Sequence, residues 1–335
     1  MSIIAVIGAG SWGTALAHAL AHSGHEVRLW AYEPEVVASL RERRENTLFL
    51  PGVAIPGNVA PTGDLGEALA GAECALTVMP SHVCRGLYER MLPHLSADMP
   101  LVSATKGIDT ERRQRMSQVI RDVTAKAFSP RPPRVVVLSG PSFAREVAVG
   151  DPTALVAAST DADAAQWVQR AFSGKTMRVY ASGDVVGVEI GGAIKNVIAI
   201  AAGVIEGLRL GHNPKAALIT RGLAEIARLA TALGARRETL AGLAGMGDLI
   251  LTCTGDLSRN RSVGVELGRG RDLQGILSSM REVAEGVKTT YATVELAREL
   301  KVEMPITEQV RRILEGEVAP REAIRELMDR SLKAE

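Results

Sequence analysis

"IIAVIGAGSWGTALAHALAHSG", residues 3–24, joins three patterns without a gap. Ile3 to Ile7 is a continuous apolar run rich in β-branched residues, the pattern of a strand buried on both faces of a sheet. Gly8 to Gly13 forms a glycine-rich turn, and "TALAHALAHSG" carries helical spacing with a glycine stop. Strand, tight turn and helix in this order predict the start of a parallel β-α-β unit. Strand-like runs recur at "HEVRLWAY" (25–32), "CALTVMP" (74–80), "PLVSATKG" (100–107) and "RVVVLSGP" (134–141). "TALVAAS" (153–159) and "TMRVYAS" (176–182) add two more. Alternation of strands with crossovers predicts an α/β fold, a doubly wound and mostly parallel sheet over residues 1–184. After "SGDVVGVEIGG" (182–192) strand-like alternation fades and long helical patterns take over, so residues 185–335 are expected to form an all-α domain. Asn213 and Pro214 read as N-cap and first residue of one of its helices, with Gly234 as its stop.

A chain of 335 residues exceeds the usual size of one core, which agrees with two domains. Hydrophobic residues are 46% and charged ones 23%, a globular composition. The formal charge of +1 offers no global attraction to nucleic acid or to an anionic membrane, so any anion site must be local. Cys74, Cys84 and Cys253 show no CxxC spacing and cannot all pair, which argues against a disulfide framework or a zinc site and for a reducing cytoplasm; no metal is expected. The amino terminus lacks a basic leader pattern, and the longest apolar run, Val197 to Ile205, is too short to span a bilayer.

Gly8, Gly10 and Gly13 make GxGxxG between a strand and a helix, the setting in which this motif binds a dinucleotide. The first glycine permits the turn, the second lets backbone approach pyrophosphate, and the third allows the helix to pack on the strand. Ser11 and Trp12 lie in the turn, within reach of a cofactor. Ala31, Tyr32 and Glu33 close the second strand, where an acid selects NAD and a cation admits the 2′-phosphate of NADP. Glu33 has the expected spacing, but Arg28 is near and Tyr32 suits either group, so NAD and NADP both stand; Glu33 is equally readable as a solvated turn residue.

Lys106 follows the fourth strand and Gly140, Ser142 and Ala144 follow the fifth, at the carboxyl ends where ligands of open α/β sheets bind. In "GGAIKNVIAIAAGV" (191–204), Lys195 has Gly191 and Gly192 at i−4 and i−3, which predicts a patch free of side chains beneath its ammonium. A lysine acts as acid or base only if its pKa falls from about 10.4 toward neutrality through burial or nearby cations. Asp248 stands in apolar "GLAGMGDLILTC" (242–253), and "DLSRNRS" (256–262) supplies Ser258, Arg259 and Asn260 as a local phosphate clamp. A lysine snorkelling from a helix edge and an ordinary polar loop are the plain alternatives.

Taken together, "GAGSWGTALA", "MPSHV", "ATKG", "SGPSFAREV", "GGAIKNVIAIAAG", "ITRGLAEI", "GLAGMGDLILTCT" and "SRNR" resemble the bacterial NAD(P)-dependent glycerol-3-phosphate dehydrogenases over essentially the whole chain. The resemblance implies a Rossmann-type domain followed by a helical one, commonly in a homodimer. It also implies reversible hydride transfer between dihydroxyacetone phosphate and glycerol 3-phosphate, run toward the latter for phospholipid synthesis. By the same resemblance Lys195 is the proton acceptor in oxidation, and with it Lys106, Gly140, Ser142, Asp248, Ser258, Arg259 and Asn260 contact the substrate. Ser11, Trp12, Tyr32, Lys106, Ala144, Arg259, Val283 and Glu285 would touch the dinucleotide. Tyr32 departs from the basic residue often found there, so a strong NADP preference does not follow. Other readings are a β-hydroxyacid or 6-phosphogluconate-type dehydrogenase, a thiol mechanism through Cys253, and a non-catalytic dinucleotide sensor.

Overall fold

A computed structural model describes residues 1–280 and 284–331. The chain forms two compact units, Met1–Lys106 with Gln114–Glu189, and Gly107–Arg113 with Ile190–Glu335. The first unit holds ten strands: β1 (Ile3–Ile7), β2 (Glu26–Trp30), β3 (Glu45–Asn46), β4 (Leu50–Ala54), β5 (Val59–Thr62), β6 (Cys74–Thr77), β7 (Leu101–Ser103), β8 (Val135–Ser139), β9 (Thr153–Ala158) and β10 (Met177–Ser182). Eight of them form one sheet in the order β10-β9-β8-β7-β6-β1-β2-β5, and β3 and β4 make a separate hairpin. Within the large sheet every pairing is parallel except β8 with β9.

Side chains of β1 alternate between two cores, as a period of two requires. Ile4 and Val6 enter a cluster with Leu16, Leu20 and Leu138, while Ala5 and Ile7 enter one with Leu87, Tyr88 and Leu101. Burial on both faces explains why β1 reads as an unbroken apolar run and β6 and β8 as runs ended only by a small hydroxyl residue, Thr77 or Ser139. Strand order reverses at β1, which has β2 on one side and β6 on the other, and this switch point lies at the carboxyl end where the glycine turn begins. β3, β4 and β5 escape the sequence pattern. β4 contains Pro51 and Gly52, and β5 contains Pro61, which a sheet accepts on an edge strand such as β5.

Every regular element among the described residues 190–331 of the second unit is a helix, while Gly107–Arg113 joins it as non-helical chain. Its central helix, Val185–Gly207, is 23 residues long with a mean hydropathy of 1.7 in its most apolar window, enough to cross a membrane, yet that window is wholly buried in the protein. The expected boundary at 184/185 coincides with the start of this helix, whereas the division between compact units falls at Glu189/Ile190. Glu189 explains the shift, because it accepts hydrogen bonds from Ser117 N (2.7 Å), Ser117 Oγ (2.6 Å) and Arg115 Nη1 (2.6 Å) and so ties the first turn to the sheet unit. Gly107–Arg113, expected in the first domain, belongs to the helical unit, where Arg113 pairs with Glu299 at 2.6 Å.

Glycines bring the helix Val185–Gly207 against the helix Arg259–Gly268 at backbone distance. A Cβ on Gly203 would lie 2.0 Å from Arg261 O, one on Gly207 2.2 Å from Val265 O, and one on Gly264 1.9 Å from Ile200 O. The helix His212–Ala232 is capped by Gly211, not by Asn213. Pro214 therefore sits third, still in the first turn, where its missing N–H leaves no helical bond unmade. Gly234, at φ +92°, ends it as expected.

Candidate functional site

In the sheet unit the turn after β1 is shaped by two glycines that cannot carry a side chain. Gly8 has φ +116°, and a Cβ there would come within 2.0 Å of Val78 O; a Cβ on Gly13 would lie 1.8 Å from Gly8 O. Gly10 differs, since its Cβ would meet nothing within 4 Å. It is the N-cap of the helix Ser11–His22 and makes no side-chain cap bond. The open side of the turn therefore presents backbone amides and the positive end of a helix dipole, which together suit a phosphate.

At the end of β2, Tyr32 is 71% exposed and Glu33 is the half-buried N-cap of the helix Pro34–Glu42. Arg28 is committed elsewhere: its guanidinium donates to the carbonyls of Glu67 and Ala70 at the end of another helix. Beyond β7 and β8, Lys106 and Ser142 converge on one atom. Lys106 Nζ donates to Gly140 O at 3.2 Å and Ser142 Oγ donates to the same oxygen at 3.0 Å. Gly140 allows this with φ +138°. Ala144 opens the helix that follows.

In the helical unit Lys195 is buried, and its Nζ donates to Asp248 Oδ1 at 2.5 Å and to Thr252 Oγ1 at 2.8 Å. Thr252 in turn donates to Asp248 O at 2.6 Å. Asp248 and Thr252 stand one turn apart on the helix Asp248–Thr254, so both face the same ammonium. The patch expected beneath Lys195 is not vacant at Gly191, whose Cβ would lie 2.5 Å from Ala244 O. Glycine there serves close backbone packing.

Ser258 caps the helix Arg259–Gly268 by accepting from Arg261 N. The two arginines of "SRNR" part company: Arg259 is exposed, while Arg261 is buried and bonded to Gly255 O (3.1 Å), Glu206 (2.5 Å) and Asp256. Asn260 Oδ1 accepts from Gly286 N at 2.9 Å. A Cβ on Gly286 would lie 2.7 Å from both Asn260 Oδ1 and Asn196 O, so three helices meet at that glycine, each one residue from Lys195, Arg259 or Glu285. Glu285 is the first residue of its helix and half-buried. Val283 lies outside the described residues.

Residues 3–165 match the model of the NAD-dependent glycerol-3-phosphate dehydrogenase N-terminus, and residues 184–325 match that of its C-terminus. The chain belongs to this family. The glycerol-3-phosphate dehydrogenase, NAD(P)+, of Koribacter versatilis is 61% identical over 332 residues, 98% of each chain. That of Citrifermentans bemidjiense is 55% identical over 336 residues, covering 99% of this chain and 98% of its own. Among solved structures, glycerol-3-phosphate dehydrogenase from Coxiella burnetii superposes with a TM-score of 0.92 at 40% identity, over 98% of this chain and 99% of that one.

A glycerol-3-phosphate dehydrogenase needs a nicotinamide dinucleotide, and the Gly8–Gly13 turn fits one by the open backbone at Gly10 and the uncapped helix behind it. Cys253 is fully buried and its thiol is pushed up to about 12 by burial, so the thiolate is suppressed at neutral pH. Sequence patterns missed Thr252, whose i+4 spacing from Asp248 in an otherwise apolar helix was the available signal. They also missed Asn196 and Gly286, which act through backbone contacts that no residue type announces.

Proposed function

We propose that the enzyme interconverts dihydroxyacetone phosphate and sn-glycerol 3-phosphate, with Lys195 as the acid and base of the reaction and the product drawn off for phospholipid synthesis. The observation that carries this is the buried Lys195–Asp248–Thr252 cluster, an ionisable group held at a fixed point by a carboxylate and a hydroxyl. A dinucleotide held at the glycine turn by its pyrophosphate would supply the hydride in reduction and take it back in oxidation. Lys195 gives its proton to the alkoxide oxygen that forms at the ketone carbon; in the reverse direction neutral Lys195 takes the hydroxyl proton. Asp248 balances the ammonium charge and Thr252 fixes its direction, so the proton is transferred from a preset position.

Arg259 is assigned to the substrate phosphate, with Ser258 and Asn260 beside it. Its exposure at the start of the helix supports this, whereas the Arg261 guanidinium is buried. Lys106, Gly140 and Ser142 are assigned to the reacting end of the substrate. Ser11, Trp12, Tyr32, Ala144, Val283 and Glu285 are assigned to the dinucleotide, which Lys106 and Arg259 also touch.

The protein is proposed to act as a homodimer in the cytoplasm. In support, Ala216 and Ala217 lie exposed on the first turns of the helix His212–Ala232, and Met246, Ile250 and Leu257 of the same unit are 39–48% exposed. Three free, buried cysteines suit a reducing compartment. Oxidation of NADH and of NADPH in parallel, with dihydroxyacetone phosphate as acceptor, tests the reading. Consumption of either cofactor that depends on this ketone supports it, and cofactor binding without consumption would leave a sensor.

A further inference from the structure

Asn46 belongs to neither the glycine turn nor the groups assigned to substrate, yet it reaches the turn from the β3–β4 hairpin. Its side chain is fully buried. Nδ2 donates to Ala9 O at 2.8 Å and to Thr14 Oγ1 at 2.8 Å, while Oδ1 accepts from Phe49 N at 3.0 Å. Thr14 Oγ1 donates to Ala9 O at 3.2 Å, closing a three-membered network. Ala9 is the residue between Gly8 and Gly10, so both hydrogen bonds converge on the carbonyl at the middle of the dinucleotide turn. Three of the turn's six residues are glycines, and its ends are held by Gly8 N donating to Trp30 O at 3.1 Å and Thr14 N donating to Gly10 O at 2.9 Å, so the Ala9 carbonyl between them is fixed from the hairpin side. A buried amide with both N–H groups and its oxygen engaged can take only one orientation.

We infer that Asn46 is a positioning residue for the cofactor: by clamping Ala9 O it fixes the amides around Gly10 in the orientation that receives the pyrophosphate. The hairpin, which the family's glycine motif does not include, thereby becomes part of the cofactor site. This rests on assigning the dinucleotide to the Gly8–Gly13 turn. Asp at this position would keep the shape while replacing both donors by a carboxylate facing the Ala9 carbonyl; Ser would remove the reach without adding buried charge.

The test compares Asn46→Asp and Asn46→Ser with the natural enzyme by NADH and NADPH fluorescence titration, by steady-state kinetics and by thermal midpoint. Asn46→Ser is expected to fold and to raise the Kd and KM for the preferred cofactor by roughly tenfold or more, the effect of losing one or two buried hydrogen bonds. kcat at saturating cofactor and the KM for dihydroxyacetone phosphate should stay within about twofold, a split that mere loss of folded protein cannot produce. Asn46→Asp should weaken binding further. If folded Asn46→Ser binds cofactor as the natural enzyme does, or if kcat falls with cofactor affinity unchanged, the inference is overturned. If the natural enzyme itself binds neither cofactor, the assignment of the turn fails instead.

Discussion

The two units make their sites from different materials. The sheet unit uses backbone: glycines at 8 and 13 close a turn, an open Gly10 exposes amides, and two side chains converge on the Gly140 carbonyl. The helical unit uses buried side chains, with Lys195, Asp248 and Thr252 bonded to one another inside an apolar bundle. Even glycine serves two purposes, as Gly10 faces open space whereas Gly191, Gly203 and Gly264 let backbones touch. A backbone site tolerates many neighbouring sequences but no side chain at its contact points. A side-chain site depends on a few buried charges, and removing one leaves its partner uncompensated.

The sharpest way to break the contrast is to remove one member of the buried pair. Asp248→Ala removes the carboxylate bonded to the buried Lys195 ammonium and should lower stability by about 3–5 kcal/mol in chemical denaturation, besides abolishing turnover. In the sheet unit, Gly13→Ala puts a methyl group 1.8 Å from Gly8 O, so the turn must open and thermal stability should drop together with cofactor affinity. Gly10→Ala meets no protein atom and should leave the thermal midpoint unchanged while weakening NAD(P)H binding; equal midpoints for both variants would erase the distinction between a packed and an open glycine.

Arg259→Ala and Arg261→Ala separate function from support within one helical turn. The first should raise the KM for dihydroxyacetone phosphate by about 10–100-fold, the value of a charge-assisted contact, with little change in midpoint. The second should lower the midpoint first, because it removes the buried guanidinium that ties together Gly255 O, Glu206 and Asp256.

The smallest effect concerns pH. Buried Glu225 accepts from Ile306 N, Thr307 N and Thr307 Oγ1 at the start of the helix Pro305–Leu314. Burial raises its pKa to about 7 from an ordinary 4.5, and those donors only partly oppose it. The folded state thus prefers the protonated form. Its stabilising contribution is complete below about pH 4.5 and is lost as pH rises through 7. The melting midpoint should fall by a few degrees between pH 5 and 8, and Glu225→Gln should flatten that slope.

The contrast also explains what the sequence could disclose. Strands buried on both faces and a glycine turn at residue 8 are written in local order, so the fold and the turn are legible directly. β5 is not, because Pro61 is acceptable only on an edge that the sequence does not mark. In the helical unit Lys195 and Asp248 stand out as charges in apolar runs, but their pairing joins residues 53 apart. Gly191 shows the limit most clearly: a glycine states that a Cβ is absent, not what fills the space, and here it is the backbone of Ala244.

Lys195→Arg tests the central claim most directly, because arginine keeps a positive charge for Asp248 but cannot exchange a proton near neutrality. With NADH binding and dihydroxyacetone phosphate reduction measured on the same folded preparation, cofactor affinity should stay within about twofold while kcat falls by 100-fold or more, the scale of lost general acid catalysis. Turnover that survives within a few-fold of the natural enzyme would contradict the assignment of Lys195 as the group that moves the proton.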